Sequence, residues 1–112
     1  MSKKVLIVVD ADPRQTHRAA EGLRLAAGLA AWMTTEITVC LLGPASVLLE
    51  ADEEWLGEED VRLAWPVLRE VPVAVFAERV PTVMSAGTEQ VRELVAGAFS
   101  RLAAEADYLI RF

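Results

Sequence analysis

The sequence predicts an α/β protein, a three-layer α/β/α sandwich built on a parallel sheet of four or five strands. Short apolar runs alternate with helical patterns along the chain, as in consecutive β-α-β units. The first run, Val5 to Val9, is apolar at every position, which is typical of a strand buried on both faces. With 112 residues the chain has room for one sheet covered by helices. We therefore interpret 1–112 as a single domain.

The first predicted helix follows the first strand directly. Asp12 is placed to cap this helix, and Pro13 suits its first helical position. Apolar residues then recur at helical spacing to about residue 33. They are Ala19, Leu23, Ala26, Ala27, Ala30 and Met33. Gly22 and Gly28 weaken such a helix slightly, but they would allow it to approach the sheet closely.

A second strand is predicted over 36–42, which is rich in β-branched residues. Gly43 and Pro44 end the strand, and a short helix follows through Leu49. This gives the first β-α-β unit of the predicted sheet.

An acidic segment comes next. Residues 50–60 carry seven acidic side chains, which favours a solvated loop. Trp55 lies within that loop and is the candidate for contact with a protein partner. Helical spacing returns over 61–68, where Pro66 is expected to kink or split the helix.

The second half of the chain predicts further strands and one long helix. A third strand is expected over 71–77 and a short fourth strand over 80–85. Thr88 is expected to cap a long helix, and a final strand is expected over 107–112. The long helix has the cleanest apolar periodicity in the chain. Its predicted face consists of Val91, Leu94, Val95, Ala98, Leu102 and Ala106.

Parallel sheets bind ligands beyond the carboxyl ends of their strands. In this chain that rule indicates the segments 10–16, 43–46 and 77–81. The candidate ligand-binding residues lie in or beside these segments. They are Asp10, Asp12, Arg14, His17, Gly43, Ser46, Glu78 and Arg79.

Composition excludes several classes of partner. The net charge of −6 disfavours binding to nucleic acid, because an acidic chain repels phosphate backbones. No apolar stretch reaches the roughly 18 residues that a membrane helix needs, so no membrane partner is expected. The opening apolar run is too short for a secretory signal. Together with a single cysteine, these features predict a cytoplasmic protein.

Four stretches of the chain form a recognisable combination. They are the strand 4–9 (KVLIVV), the helix 22–31 (GLRLAAGLAA), the segment 37–44 (ITVCLLGP) with 47–49 (VLL) after it, and the closing segment 106–112 (ADYLIRF). In this combination the chain resembles the DsrE/DsrF/DsrH and TusBCD family of sulfur-relay proteins. The resemblance implies a five-stranded parallel sheet between helix layers. It also implies association into dimers, trimers or hexamers.

The resemblance further implies sulfur relay, through a persulfide on a cysteine just beyond the third strand. That position falls near Phe76, Ala77 and Glu78, none of which is cysteine. A persulfide requires a thiolate, which no other side chain supplies. We therefore expect that the chain has no catalytic residue. It is expected to be a non-catalytic, homo-oligomeric binding or scaffold subunit in intracellular sulfur transfer. A sulfur-relay protein is its expected partner.

Cys40 is the only cysteine, and it lies inside the second predicted strand between Val39 and Leu41. A cysteine buried in that way behaves as a small apolar residue with a raised thiol pKa. It could carry sulfur only if that end of the strand were open to solvent.

A second interpretation uses Asp10, Asp12 and His17 for a small ligand or a metal. Two carboxylates after a first parallel strand can hold Mg²⁺, as in receiver domains. A receiver domain also needs an aspartate after the third strand, and 71–77 has none. A lone histidine does not make a zinc site. We favour structural roles for Asp10 and Asp12, and we expect no metal and no cofactor.

Overall fold

Five parallel strands form the sheet in this computed structural model of the chain. The structure describes residues 3–32, 35–51, 54–71 and 73–112, with the side chains of 31 and 32 outside that description. The strands are β1 (Lys4–Val9), β2 (Glu36–Leu41), β3 (Val73–Ala77), β4 (Arg92–Glu93) and β5 (Tyr108–Arg111). Their order across the sheet is β4-β3-β2-β1-β5.

Helices cover both faces of this sheet. They are α1 (Arg18–Trp32), a 3-10 helix (Gly43–Leu49), α2 (Glu58–Glu70) and α3 (Ala98–Glu105). The α1 and α2 helices pack against each other and share one face, and α3 lies on the other. The predicted three-layer α/β/α fold with a parallel sheet is confirmed.

Strand β1 explains why the first segment of the sequence is apolar at every position. Val5, Ile7 and Val9 belong to the core beneath α1 and α2. Leu6 and Val8 point to the opposite face and lie beneath α3. Side chains alternate between the faces of a strand, so burial on both faces requires an unbroken apolar run.

The two cores differ greatly in extent. The core beneath α1 and α2 contains most of the fully buried residues, from β1, β2, β3, both helices and the 3-10 helix. The cluster beneath α3 contains three buried residues, Leu6, Val8 and Cys40. Helix α3 contributes no buried residue of its own. The sheet is therefore thoroughly covered on one face and thinly covered on the other.

Gly22 brings α1 close to the sheet, as the sequence predicts. A Cβ atom at this position would lie 2.9 Å from a methyl group of Val9 and 3.2 Å from the ring of Phe112. Gly28, on the same helix, is different, because a Cβ atom there would meet nothing within 4 Å. The prediction of close approach is therefore right for Gly22 and wrong for Gly28.

The start of α1 differs from the prediction. The helix begins at Arg18, and Asp12 instead closes a turn, in which its carbonyl oxygen accepts from the amides of Gln15 and Thr16. The Thr16 hydroxyl accepts a hydrogen bond from the amide of Arg18. Arg14 competes for the Asp12 carboxylate through its own amide and guanidinium, which favours a local turn over a helix cap.

The segment between β3 and α3 also corrects the prediction. Residues 80–85 do not form a parallel strand, and Met84 makes only an isolated antiparallel bridge with Glu50. The fourth strand is instead Arg92–Glu93, paired with Phe76 and Ala77 of β3. Pro81 cannot donate to a sheet ladder, which disfavours the predicted strand.

The predicted long helix from Thr88 is mostly absent, since α3 begins only at Ala98. Gly97 precedes it with a φ of 83°, a left-handed conformation that interrupts a helix. The Thr88 side chain is fully buried, and its hydroxyl donates to the carbonyl oxygen of Ser85 at 2.7 Å. It therefore fixes a turn instead of capping a helix.

Helix α2 begins earlier than predicted and is not split. Glu58, Glu59 and Asp60, assigned to the acidic loop by sequence, form its first turn. Acidic side chains are favourable there because the amino-terminal end of a helix is electropositive. Pro66 lies within this continuous helix and is exposed, so its ring does not interrupt core packing.

Within the part of the chain that the structure describes, no helix combines the length and the apolar character needed to cross a bilayer.

The two glycines of α1 provide a matched test of the close packing. Gly28→Ala should stabilise the protein by about 0.5–1 kcal/mol, because alanine is the better helix former and the site is open. Gly22→Ala should destabilise it, because overpacking costs roughly 1–3 kcal/mol and outweighs that gain. Urea unfolding of both variants measures the difference. Equal effects in the same direction would contradict the close approach at Gly22.

Candidate functional site

The carboxyl ends of the strands lie at one edge of the sheet, as in any parallel sheet. Backbone hydrogen bonds join the residues that follow the strands. The amide of Leu42 donates to Val9 at 2.8 Å, and that of Glu78 donates to Leu41 at 2.9 Å. The segments after β1, β2 and β3 are thereby held side by side. Of the predicted site residues, Asp10, Gly43 and Glu78 meet at this edge.

Glu78 occupies the tip of β3 and acts on the backbone after β2. Its carboxylate accepts a hydrogen bond from the Gly43 amide at 3.1 Å. Gly43 starts the 3-10 helix with a φ of 53°, and amides at the start of a helix lack partners within it. Glu78 supplies that partner while remaining exposed, and neighbouring Arg79 is exposed too.

Ser46 lies on the same 3-10 helix but does not face solvent. The residue is 6% exposed, and its hydroxyl oxygen is buried without a hydrogen-bond partner. A ligand at the outer edge of the sheet therefore does not reach the Ser46 hydroxyl in this conformation.

Asp10 follows β1 and is bound by an arginine from the neighbouring strand. The Asp10 carboxylate accepts from Arg111 of β5, through Nε at 2.8 Å and through Nη2. The Asp10 amide also donates to the carbonyl oxygen of Phe112. Strand order reverses between β1 and β5, so this is the topological switch point where open α/β sheets bind ligands. In this chain Arg111 already binds the Asp10 carboxylate at that point.

Asp12 has a separate arginine. Arg14 donates to the Asp12 carboxylate through Nε at 3.0 Å, through Nη2 at 3.1 Å and through its amide at 2.9 Å. Hydrogen bonds from the Arg14 side chain and, to a lesser extent, from the Arg14 amide lower the pKa of the Asp12 carboxyl. Asp10 and Asp12 are thus each neutralised by a different guanidinium, which weakens the case for a shared cation.

His17 lies at the start of α1 and is exposed. It lies beside Gly57, where a Cβ atom would come within 3.5 Å of the His17 Nδ1. Among the described residues, no group of three or more histidine, cysteine, aspartate or glutamate side chains is arranged to hold a metal ion. His17 therefore belongs to the contact between α1 and the start of α2.

Cys40 is buried in the middle of the sheet, with no exposed surface. It pairs with Val8 on one side and with Phe76 on the other, and it packs in the small cluster beneath α3. Burial raises the pKa of the Cys40 thiol to about 11. The thiol is therefore protonated at neutral pH and shielded from solvent, as the sequence predicts.

These features match a known architecture. The crystal structure of the ychN protein from E. coli aligns with this chain at a TM-score of 0.77, covering 100% of both chains at 17% sequence identity. This chain has the DsrE-like fold. No protein-family model and no curated protein matches the sequence. At such an identity the DsrE-like likeness concerns the fold alone.

The DsrE-like fold of this chain carries a further cleft that sequence reasoning missed. We call it the indole cleft and define it by Trp55, Arg62, Trp65, Arg69 and Ala86. Its volume is about 520 Å³. Arg62, Trp65 and Arg69 recur at helical spacing along α2, a signal that was present in the sequence. Trp55, assigned to partner contact, is half buried against the main core and forms part of the cleft wall.

The burial of Cys40 predicts an unreactive thiol. Folded protein at pH 8 should react with a disulfide reagent on the order of a hundredfold or more slowly than protein in concentrated guanidinium, because so little thiolate forms at a raised pKa. A colorimetric thiol assay measures both rates. Glu78→Cys in a Cys40→Ala background is the exposed control and should react promptly. Equal rates for folded and unfolded protein would show that Cys40 is accessible.

Proposed function

We propose that this protein is a non-catalytic DsrE-like module, which assembles with copies of itself and serves as a binding or scaffold subunit in intracellular sulfur transfer. One observation carries the proposal. The tip of β3 holds Glu78, while the one thiol of the chain, Cys40, is sealed within the sheet. A chain arranged in this way has the scaffold of the fold without the chemistry of a persulfide carrier.

The role of Glu78 supports the absence of sulfur-transfer chemistry at the edge of the sheet where the strands end. Its carboxylate fixes the amide of Gly43. A carboxylate neither forms a persulfide nor donates sulfur, so in this role it stabilises the edge without reacting. The partner we propose is a sulfur-relay protein of the cytoplasm, which would supply the reactive thiol.

The α3 layer supports self-association. Phe76, Leu94, Phe99 and Leu102 pack beneath or along α3 but are only partly buried. Ala74 of β3 is exposed beside them. Parallel sheets occur almost only with both faces covered, so a second copy packed here would complete the layer.

The β5 edge gives further support. Tyr108 is 58% exposed and Leu109 is 49% exposed on this outer strand. Val95, just before α3, is 62% exposed. Exposed apolar side chains on an edge strand favour pairing with another chain. Val95 follows β4, at the edge of the sheet opposite β5, so the α3 layer and both edges are candidates for contact between copies.

The alternative, a small-ligand or metal-binding protein that uses Asp10, Asp12 and His17, has less support. Arginine side chains already bind both carboxylates. His17 lies against the start of α2 rather than with them. A ligand at that site would first have to displace two ion pairs.

Sulfur uptake tests the proposed loss of chemistry. Incubation of the folded protein with a persulfide donor should leave its intact mass unchanged, because Cys40 is buried and protonated. The Glu78→Cys variant in a Cys40→Ala background is the matched control and should gain sulfur. Stoichiometric uptake by the native chain that is lost in Cys40→Ala would overturn the proposal.

Self-association is tested by light scattering after size exclusion. The native protein should have a mass that is a multiple of 12.2 kDa. Val95→Glu combined with Leu109→Glu should shift it towards the monomer, because buried charges destabilise an apolar interface. Leu63→Glu, on the opposite layer and 66% exposed, is the control and should leave the assembly unchanged. A monomeric native protein at micromolar concentration would contradict self-association.

A further inference from the structure

The indole cleft lies on the α1 and α2 side of the sheet, away from the α3 layer. Its volume of about 520 Å³ is within the range of small-molecule sites, roughly 300–1,000 Å³. Trp55, Trp65, Pro66 and Ala86 give it apolar surface, and Arg62 and Arg69 give it charge.

The wall opposite α2 is held in place by hydrogen bonds. The Ser85 amide donates to Leu49 at 2.8 Å, and the Ser85 hydroxyl donates to the carbonyl oxygen of Glu50 at 3.0 Å. The buried Thr88 hydroxyl in turn donates to the carbonyl oxygen of Ser85. Gly87 makes the turn between them with a φ of 87°. The loop is therefore fixed before any ligand binds, which lowers the entropic cost of binding.

The indole N–H groups of Trp55 and Trp65 are an independent sign of a missing partner. Both Nε1 atoms are buried, and neither has a hydrogen-bond acceptor among the residues that the structure describes. Trp65 as a whole is only 4% exposed. A buried donor without an acceptor costs roughly 1–3 kcal/mol. An acceptor oxygen of a ligand brought to either N–H group would recover part of that cost.

The charges define the class of ligand. Arg62 and Arg69 lie one turn on either side of Trp65 along α2. Neither forms an ion pair within 4 Å among the described residues, although both Glu50 and Glu58 line the cleft. Arg69 is at the end of the helix away from Glu58, and its charge acts on the carboxylate of Glu89, whose pKa is lowered by backbone hydrogen bonds and, to a lesser extent, by the charge of Arg69. A guanidinium binds a carboxylate through two parallel hydrogen bonds, and an indole ring stacks on a second ring.

We propose that the indole cleft binds a small ring-bearing carboxylate, with its ring against Trp55 and its acid group at Arg69. The site is separate from the strand tips and from the α3 layer. A failure of this proposal would therefore leave the proposed scaffold role unaffected, and a failure of the scaffold role would leave this proposal unaffected.

Three probes with the same ring and different charges test this proposal by isothermal titration calorimetry on the full chain. Indole-3-acetate should bind at least tenfold more tightly than neutral indole-3-ethanol, and tryptamine should bind most weakly. In Arg69→Gln the affinity for indole-3-acetate should fall at least tenfold, with no change for indole-3-ethanol. Arg101→Gln, an exposed arginine on α3, is the matched control and should bind as the native chain does.

Location is checked by the indole N–H resonances in an amide correlation spectrum. Indole-3-acetate should shift the signals of Trp55 and Trp65, assigned from Trp55→Phe and Trp65→Phe. Ala86→Trp, which fills the cleft from an exposed position, should abolish both the shifts and the binding heat. No binding at millimolar probe, equal affinity for the three probes, or unchanged binding in Ala86→Trp would each overturn the proposal.

Discussion

The parallel pairing of β1 with β2 on one side and β5 on the other determines where the rest of the molecule lies. Val5 aligns with Ile37 of β2 and with Tyr108 of β5, so β1 is interior and needs cover on both faces. The same pairing puts the carboxyl ends of the strands at one edge and the reversal of strand order beside Asp10. Arg111 and Phe112 close that reversal with an ion pair and a backbone hydrogen bond.

Sequence periodicity predicted the parts of this fold that depend on burial on both faces. The unbroken apolar run 5–9 is typical of an interior strand, and the burial of Cys40 was predicted from its place between Val39 and Leu41. The segment 88–97 misled because its apolar spacing fits a helix. There Val91 faces the main core and Leu94 faces the α3 cluster, and this opposition is typical of a strand. Gly97 was the sequence signal against a continuous helix, because it adopts a left-handed conformation just before α3.

The candidate site was only partly predictable, for a different reason. Strand ends identified Asp10 and Glu78 because the rule for parallel sheets depends on chain order alone. The rule does not indicate which carboxylates are already bound, since Arg111 is about one hundred residues from Asp10 in sequence. The indole cleft joins α2 to the loop 85–87 through tertiary contacts, so sequence spacing gave its α2 half and not its opposite wall.

The sheet also separates the two proposed surfaces. Self-association would cover the face beneath α3, where Phe99 and Leu102 are partly exposed, whereas Trp55 and Arg69 line the cleft on the opposite layer. If both proposals hold, a ligand and a second copy would bind at once, because neither event buries the surface that the other needs. Coupling between them would have to pass through the sheet, whose central strands are buried on both faces and closely packed. The two proposed surfaces therefore lie on different layers of the sheet, and neither proposal requires a reactive group at the strand tips.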